Sequence, residues 1–227
     1  MTEKLFRKII DELSEMNYTQ GIALFSNNEP FLDERIIDFH RYANEKLPHA
    51  IFWLFTNGTL LTVEKFIEIM PYLDVLIIDN YNDKKEINSP ELQKIYDYLQ
   101  EHHELDERVR FSFRLQNEVL SSRGGQAPNK QGMNDERAVD VLCPLPFRQL
   151  IIRPTGEVSL CCNDPLGKYT MGDLRTQSIS EVWNSEKYKE IRREMLENGR
   201  KNLELCCNCD TVSSTAPLCT KKNKAVK

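Results

Sequence analysis

The chain has 227 residues, with 35 acidic against 30 basic side chains, a formal net charge of −5 and 40% apolar residues, enough to bury a core for one mid-sized domain with or without an appendage. An acidic balance without an internal Lys/Arg block excludes the electrostatic footprint of a nucleic-acid-binding protein, and no nucleic acid partner is expected. The opening residues alternate charge with apolar groups at helical spacing and lack the uninterrupted apolar run of a signal peptide or membrane span, so a cytoplasmic protein with no membrane partner is expected.

In chain order, Leu5, Ile9, Ile10 and Leu13 mark one face of a helix over Thr2 to Met16. A short buried strand, Ile22 to Phe25, leads into a turn at Ser26-Asn27-Asn28-Glu29-Pro30. A second helix carries Ile36, Ile37, Phe39, Tyr42 and Ala43, and the strand Ile51 to Phe55 ends in Thr56-Asn57-Gly58. A third helix, Val63 to Met70, precedes the strand Val75 to Ile78, which runs into Asp79-Asn80. The helix Pro90 to His103 leads to a last strand, Val109 to Leu115. Alternating helices and strands with polar residues at each strand's C-terminal end predict a parallel α/β layer, whose ligands gather at those ends.

Periodicity fails over 116–142, around Ser121-Ser122-Arg123-Gly124-Gly125-Gln126. A stretch of that length is functional or a linker: Arg123-Gly124-Gly125 either covers a substrate or is a surface loop. A hairpin is predicted next, Phe147 to Arg153 and Glu157 to Cys161 flanking Pro154-Thr155-Gly156. Ser178 and Glu181 form a capping-box pattern, and Ser185 caps a helix to Asn198 closed by Gly199. The tail with Lys221, Lys222, Lys224 and Lys227 is expected to be disordered. The domains predicted are therefore 1–118, a linker 119–142, 143–212 and the tail 213–227.

Seven cysteines in a chain with no secretion signal point to reduced thiols available as ligands. Cys143, Gly156 and Cys161 form C-x12-G-x4-C, and Cys206 with Cys209 forms C-x2-C. The hairpin returns Cys143 and Cys161 to one place, and the second pair needs only a tight knuckle. Cys161 and Cys162, read as extended strand, face opposite ways, so one of them ligates, and the glycine spacing favours Cys161. Cys207 is expected to point away, and Cys219 is a further candidate. Four thiolates suit a tetrahedral Zn²⁺ or a [4Fe–4S] cube; buried cysteines acting as small hydrophobes are the third possibility.

The stretch CPLPFRQLIIRPTGEVSLCCND, then MGDL, then SISEVWNSEKYKEIRREM and the final C-x2-C resembles the SPASM or shortened "twitch" domain of radical S-adenosylmethionine (SAM) enzymes. That resemblance implies a partial (β/α)6 TIM-like barrel missing its first strand, followed by a small α+β twitch/SPASM domain with a β-hairpin. It implies one auxiliary [4Fe–4S] cluster on Cys143, Cys161, Cys206 and Cys209. It also implies SAM contacts from Asn27, Asn28 and Glu29, which align with the family's GGEP motif with asparagines tolerating left-handed backbone in place of glycine, and from Asp79 and Arg114. Asn80, Gln116 and Asn117 share the same strand ends as Asp79 and Arg114, and for all five both readings stand, binding SAM or orienting the substrate and ordinary loop capping; Thr56-Asn57-Gly58-Thr59 resembles the family's strand-three ending. His102 and His103 are expected to be solvent-exposed.

The family's SAM-cleaving CxxxCxxC is absent from this sequence. The expectation is a fragment or late start of an enzyme whose intact form generates a 5′-deoxyadenosyl radical, is reduced by a flavodoxin or ferredoxin, and oxidises or modifies a peptide or small molecule. The catalytic residues are not identifiable from the sequence. The alternative from another class is a non-catalytic Zn- or Fe–S-binding module that recruits a partner or substrate.

Overall fold

The computed structural model describes residues 1–87, 89–118, 121–127 and 141–211; Cys219, the basic tail and most of the expected linker lie outside them. The described residues form two compact units, one within 14–118 and the other of Met1–Leu13 with 121–127 and 141–211.

The Ser14–Glu118 unit is built on a four-stranded parallel sheet, β1 (Gly21–Ile22), β2 (Ile51–Thr56), β3 (Val75–Tyr81) and β4 (Val109–Arg114), in sequential order. Each connection carries a helix, α2 (Ile36–Lys46), α3 (Val63–Ile69) and α4 (Pro90–Glu101), as parallel pairing requires. The helix starts follow from sequence: Thr62 Oγ1 accepts the amide of Lys65, and Ser89 Oγ that of Leu92, with Pro90 in the first turn. Phe52, Leu54, Phe66, Leu76, Ile78 and Ile95 are fully buried; each contributes about 1.5–3 kcal/mol by leaving water. β3 is buried at nearly every position, as befits a strand covered on both faces.

β1 is shorter than expected. It pairs with β2 only at Ile51 and Phe52, and the chain then leaves the sheet for the Ser26–Glu29 turn. At the other end of β2, Gly58 takes φ +75°, and a Cβ there would lie 2.8 Å from Leu92 Cδ2, so no larger residue fits the turn undistorted.

The second unit has an antiparallel sheet of β5 (Ile151–Ile152), β6 (Glu157–Ser159) and β7 (Thr170–Asp173). Gly156 closes the expected turn at φ +97°. The first hairpin arm is shorter than predicted because Leu145–Arg148 forms a helical turn, α5, with Pro146 in it; proline suits a helix's first turn and donates nothing to a strand ladder. β7 was not foreseen. Helices α6 (Ile179–Trp183) and α7 (Glu186–Asn198) carry the expected caps: a full capping box at Ser178–Glu181, Ser185 Oγ accepting the Tyr188 amide, and Gly199 at φ 65°. A final turn, α8, spans Glu204–Cys207.

The opening helix α1 (Glu3–Glu15) was expected to belong with residues up to 118, yet Met1–Leu13 groups with this second unit. Leu5 and Ile9 join the core formed by Val158, Leu160, Met171, Val182, Tyr188 and Met195. Glu12 Oε2 accepts the first amide of α6, that of Ile179, at 2.8 Å, and Lys8 donates to the carbonyl of Gln177 at 2.9 Å. An amphipathic helix advertises that it needs a core without saying which one.

Candidate metal centre

Cys143 immediately precedes α5. Its amide donates to Met195 Sδ at 3.4 Å. The next turn is tied to α7 by Arg192, which donates to the carbonyls of Pro146 at 3.0 Å and Trp183 at 2.8 Å while its guanidinium lies over the rings of Trp183 and Tyr188, at 4.0 and 4.4 Å. Cys161 follows β6 in a turn rather than in the strand, its carbonyl accepting the Asp164 amide at 3.0 Å. The buried Asp164 carboxylate accepts the amides of Lys168 and Tyr169, at 2.7 and 2.9 Å, and Gln126 Nε2 at 3.0 Å. Cys206 ends up on α8, and the Cys209 amide closes the knuckle on the Cys206 carbonyl at 3.1 Å.

These three segments converge. Cys143, Cys161, Cys206 and Cys209 line one cavity, with Asn163, Arg200 and Thr211 among its other walls. Cys162 and Cys207 are not among the lining residues, and Cys207 Sγ instead lies 3.4 Å from the Glu204 carbonyl of its own helix. Among the described residues, no group of three or more His, Cys, Asp or Glu side chains is arranged to hold a metal ion as it stands.

Burial pushes the Cys161 thiol well above its ordinary range, against one backbone hydrogen bond from Asn163, and the neighbouring Cys162, Cys206 and Cys143 add to the rise. Burial, Cys143 and Cys209 push Cys206 up to about 12, with Arg200 opposing. Cys161 and Cys206 therefore favour their protonated forms and give up those protons on taking a thiophilic metal. Arg200 is only 2% exposed, and none of its three guanidinium nitrogens has a hydrogen-bond partner among the described residues; the Thr211 hydroxyl is likewise buried without one. Soft sulfur donors beside an uncompensated buried cation suit an anionic, thiolate-bound group.

The loop at 121–127 reaches both cysteine pairs. The Ser122 amide and hydroxyl bond to Asp210 and to the Asn208 carbonyl, Gln126 reaches Asp164, and a Cβ on Gly124 (φ +60°) would collide with the Leu205 side chain. Spacing gave no signal for Asp164, Arg200 or Asp210: Asp164 and Asp210 are tied to the 121–127 loop by contacts distant in sequence, and Arg200 stands out only by its burial in the cavity wall.

The other expected site residues lie at the strand ends of the parallel sheet. The Glu29 carboxylate accepts Thr56 Oγ1 at 2.7 Å, the Asn57 amide at 2.8 Å and the Phe31 amide at 3.2 Å. Neither Asn27 nor Asn28 adopts a left-handed backbone, so the reason given for asparagine there is corrected: Asn28 Oδ1 accepts the Ser26 amide at 3.3 Å and Asn27 Nδ2 donates to Ser26 Oγ at 3.1 Å, closing the turn through side chains. Arg114 Nε donates to Asp79 at 3.0 Å and Nη1 to Glu118 at 3.2 Å. Asn80 is buried and holds the Glu86 carbonyl at 2.8 Å, and the Gln116 amide is held by Asp83, both capping roles. His103 is exposed, but His102 is half-buried and stacks on Tyr98 with centroids 3.6 Å apart.

Residues 143–210 match the model of the SPASM family, described as an iron–sulfur cluster-binding domain. Over that segment the chain resembles a SPASM domain. It is also 26% identical over 215 residues to an S-adenosyl-L-methionine-dependent 2-deoxy-scyllo-inosamine dehydrogenase of Niallia circulans, spanning 94% of this chain and 82% of the relative. BtrN in complex with AdoMet and 2-DOIA has the same fold, with a TM-score of 0.78 at 24% identity over 96% of this chain and 83% of that one. BtrN in an open conformation gives 0.70 at 20% identity over 94% and 81%. The resemblance to radical SAM proteins with a SPASM domain is thus borne out, as is the α/β architecture with its parallel sheet followed by a smaller antiparallel one. No helix among the described residues is long and apolar enough to cross a membrane.

Proposed function

We propose that this chain is the SAM-binding and auxiliary-cluster portion of a radical SAM oxidoreductase that dehydrogenates a hydroxyl-bearing carbon of a small polar substrate. One observation carries the proposal: the four cysteines singled out by spacing line a single cavity inside the segment that matches the SPASM family. Four thiols on the wall of one cavity, within a segment that matches an iron–sulfur cluster-binding domain, favour a [4Fe–4S] group held by Cys143, Cys161, Cys206 and Cys209 over a single zinc. The SAM-dependent dehydrogenase relative, aligned over nearly the whole chain, favours an alcohol substrate over a peptide.

When bound, SAM with its reducing cluster supplies hydrogen-atom abstraction and the auxiliary cluster supplies a one-electron sink. This chain's own residues hold and orient. Glu29 joins the turn after β1 to the end of β2 and the Asp79–Arg114 pair joins the ends of β3 and β4; on this reading Asn27, Asn28 and the Asp79–Arg114 pair would hold the polar groups of SAM. A flavodoxin or ferredoxin is the proposed electron donor. The sequence holds no CxxxCxxC, so these residues bind and position without cleaving SAM themselves.

Anaerobic reconstitution with iron and sulfide, followed by metal analysis and visible absorption, tests the centre: four irons with broad visible absorption are expected, and colourless protein with one zinc overturns the assignment. A form extended to include a CxxxCxxC segment is expected to release 5′-deoxyadenosine and oxidise an aminocyclitol alcohol. Release of 5′-deoxyadenosine without any ketone from such alcohols would overturn the substrate class alone.

A further inference from the structure

The cysteine cavity contains one group the ligand assignment leaves unused. Arg200 follows Gly199, whose left-handed conformation turns the chain out of α7, and the Arg200 carbonyl then accepts the Leu203 amide. Its side chain is 2% exposed and lines the cavity with all four cysteines, and Nε, Nη1 and Nη2 are unpartnered among the described residues. A guanidinium is never deprotonated in a protein, and a buried charge without a counter-charge or hydrogen bonds is strongly unfavourable. Neutral thiols do not compensate it. A thiolate-ligated iron–sulfur cluster does: it is a net anion whose sulfurs accept hydrogen bonds, and it gains one further negative charge on reduction.

Resting on the cluster assignment proposed above, we propose that Arg200 is the counter-cation and hydrogen-bond donor of the auxiliary cluster, and that it raises the cluster's reduction potential. Charge and hydrogen bonds to sulfur are established controls on such potentials. A fixed cation stabilises the more negative, reduced state more than the oxidised one. The cavity is thereby biased toward accepting one electron, which enters without any bond being made or broken. Thr211, whose buried hydroxyl is also unpartnered on the cavity wall, is placed to add a neutral donor.

The test compares wild type, Arg200→Gln and Arg200→Lys, each reconstituted anaerobically as the full chain, by iron and sulfide analysis and by a mediator titration followed by electron paramagnetic resonance. Equal iron content is expected in all three. At a fixed potential the Gln variant is expected to shift the oxidised-to-reduced ratio at least tenfold toward oxidised, about 59 mV for one electron, while the Lys variant stays near wild type. An unmoved potential in Arg200→Gln, or an equal fall in Arg200→Lys, overturns the proposal. A merely structural Arg200 lowers the melting temperature of the cluster-free protein and leaves the potential alone. If the Gln variant folds but does not retain iron, retention by the Lys variant supports the charge role and loss from both overturns it. Wild type that loads zinc and no iron overturns the cluster assignment itself, an outcome distinct from an iron-loaded protein with an unmoved potential.

Discussion

The backbone amide of Ser122 donates to both carboxylate oxygens of Asp210, at 2.8 and 2.9 Å, while the Ser122 hydroxyl donates to the carbonyl of Asn208 at 3.0 Å. The segment after the C-x2-C knuckle is thus locked to a loop more than eighty residues earlier in sequence. A charged acceptor for a buried amide is worth about 1.5–3 kcal/mol. Asp210→Ala is expected to cost about that much in denaturant unfolding, and to speed iron loss to a chelator from the reconstituted protein. Unchanged iron loss would separate this loop from the metal centre.

Gly58→Ala tests the turn at the end of β2. The substitution places a methyl group 2.8 Å from Leu92 Cδ2 at a residue with φ +75°, so backbone strain of about 1–3 kcal/mol adds to the displacement of a fully buried leucine. Urea unfolding should show a lowered midpoint with an unchanged slope. A loss below about 0.5 kcal/mol would mean that α4 shifts freely away from the turn.

Hydrophobic patterning located three of the four parallel strands and all of the longer helices, because the apolar face each one buries is written as a periodicity within its own segment. It overextended β1, because the chain leaves the sheet for the Ser26–Glu29 turn while β2 runs on to Thr56, which the apolar run Ile22 to Phe25 does not show. It missed β7: Thr170-Met171-Gly172-Asp173 has little intrinsic strand preference and is a strand because Glu157, Val158 and Ser159 pair with it. It read Phe147 and Arg148 as strand although Pro144 and Pro146 signal a helix start. At the centre, spacing gave the four cysteines but could not give Arg200, whose lack of a hydrogen-bond partner among the described residues is a property of the packed cavity.

His40 makes the stability of the Ser14–Glu118 unit depend on pH. It is fully buried on α2, its Nδ1–H donates to the Ile36 carbonyl at 2.8 Å, and its other ring nitrogen has no partner among the described residues. Burial lowers its pKa from 6.5 to about 4, against that one hydrogen bond. The unfolded chain binds the proton first, so the contribution is fully present above about pH 6.5 and is lost as pH falls toward 4. The loss amounts to about 3 kcal/mol at most. Unfolding free energies measured between pH 7 and pH 4 should fall more steeply in wild type than in His40→Phe, and parallel curves would show that the ring finds a proton partner in acid.

The sharpest prediction about the cysteines is the contrast within each adjacent pair. Cys161 and Cys206 are buried and line the cavity, whereas Cys162 and Cys207 are half-buried and do not, Cys207 lying against the Glu204 carbonyl. After anaerobic reconstitution, Cys143→Ala, Cys161→Ala, Cys206→Ala and Cys209→Ala are each expected to lose most bound iron and visible absorption, because a site short of one thiolate leaves an iron exposed. Cys162→Ala and Cys207→Ala should retain both. The pairs are adjacent in sequence, so a general effect of losing a cysteine, or of loosening the domain, acts on both members alike. Iron loss from Cys162→Ala with retention in Cys161→Ala would transfer the ligand assignment to the neighbouring thiol.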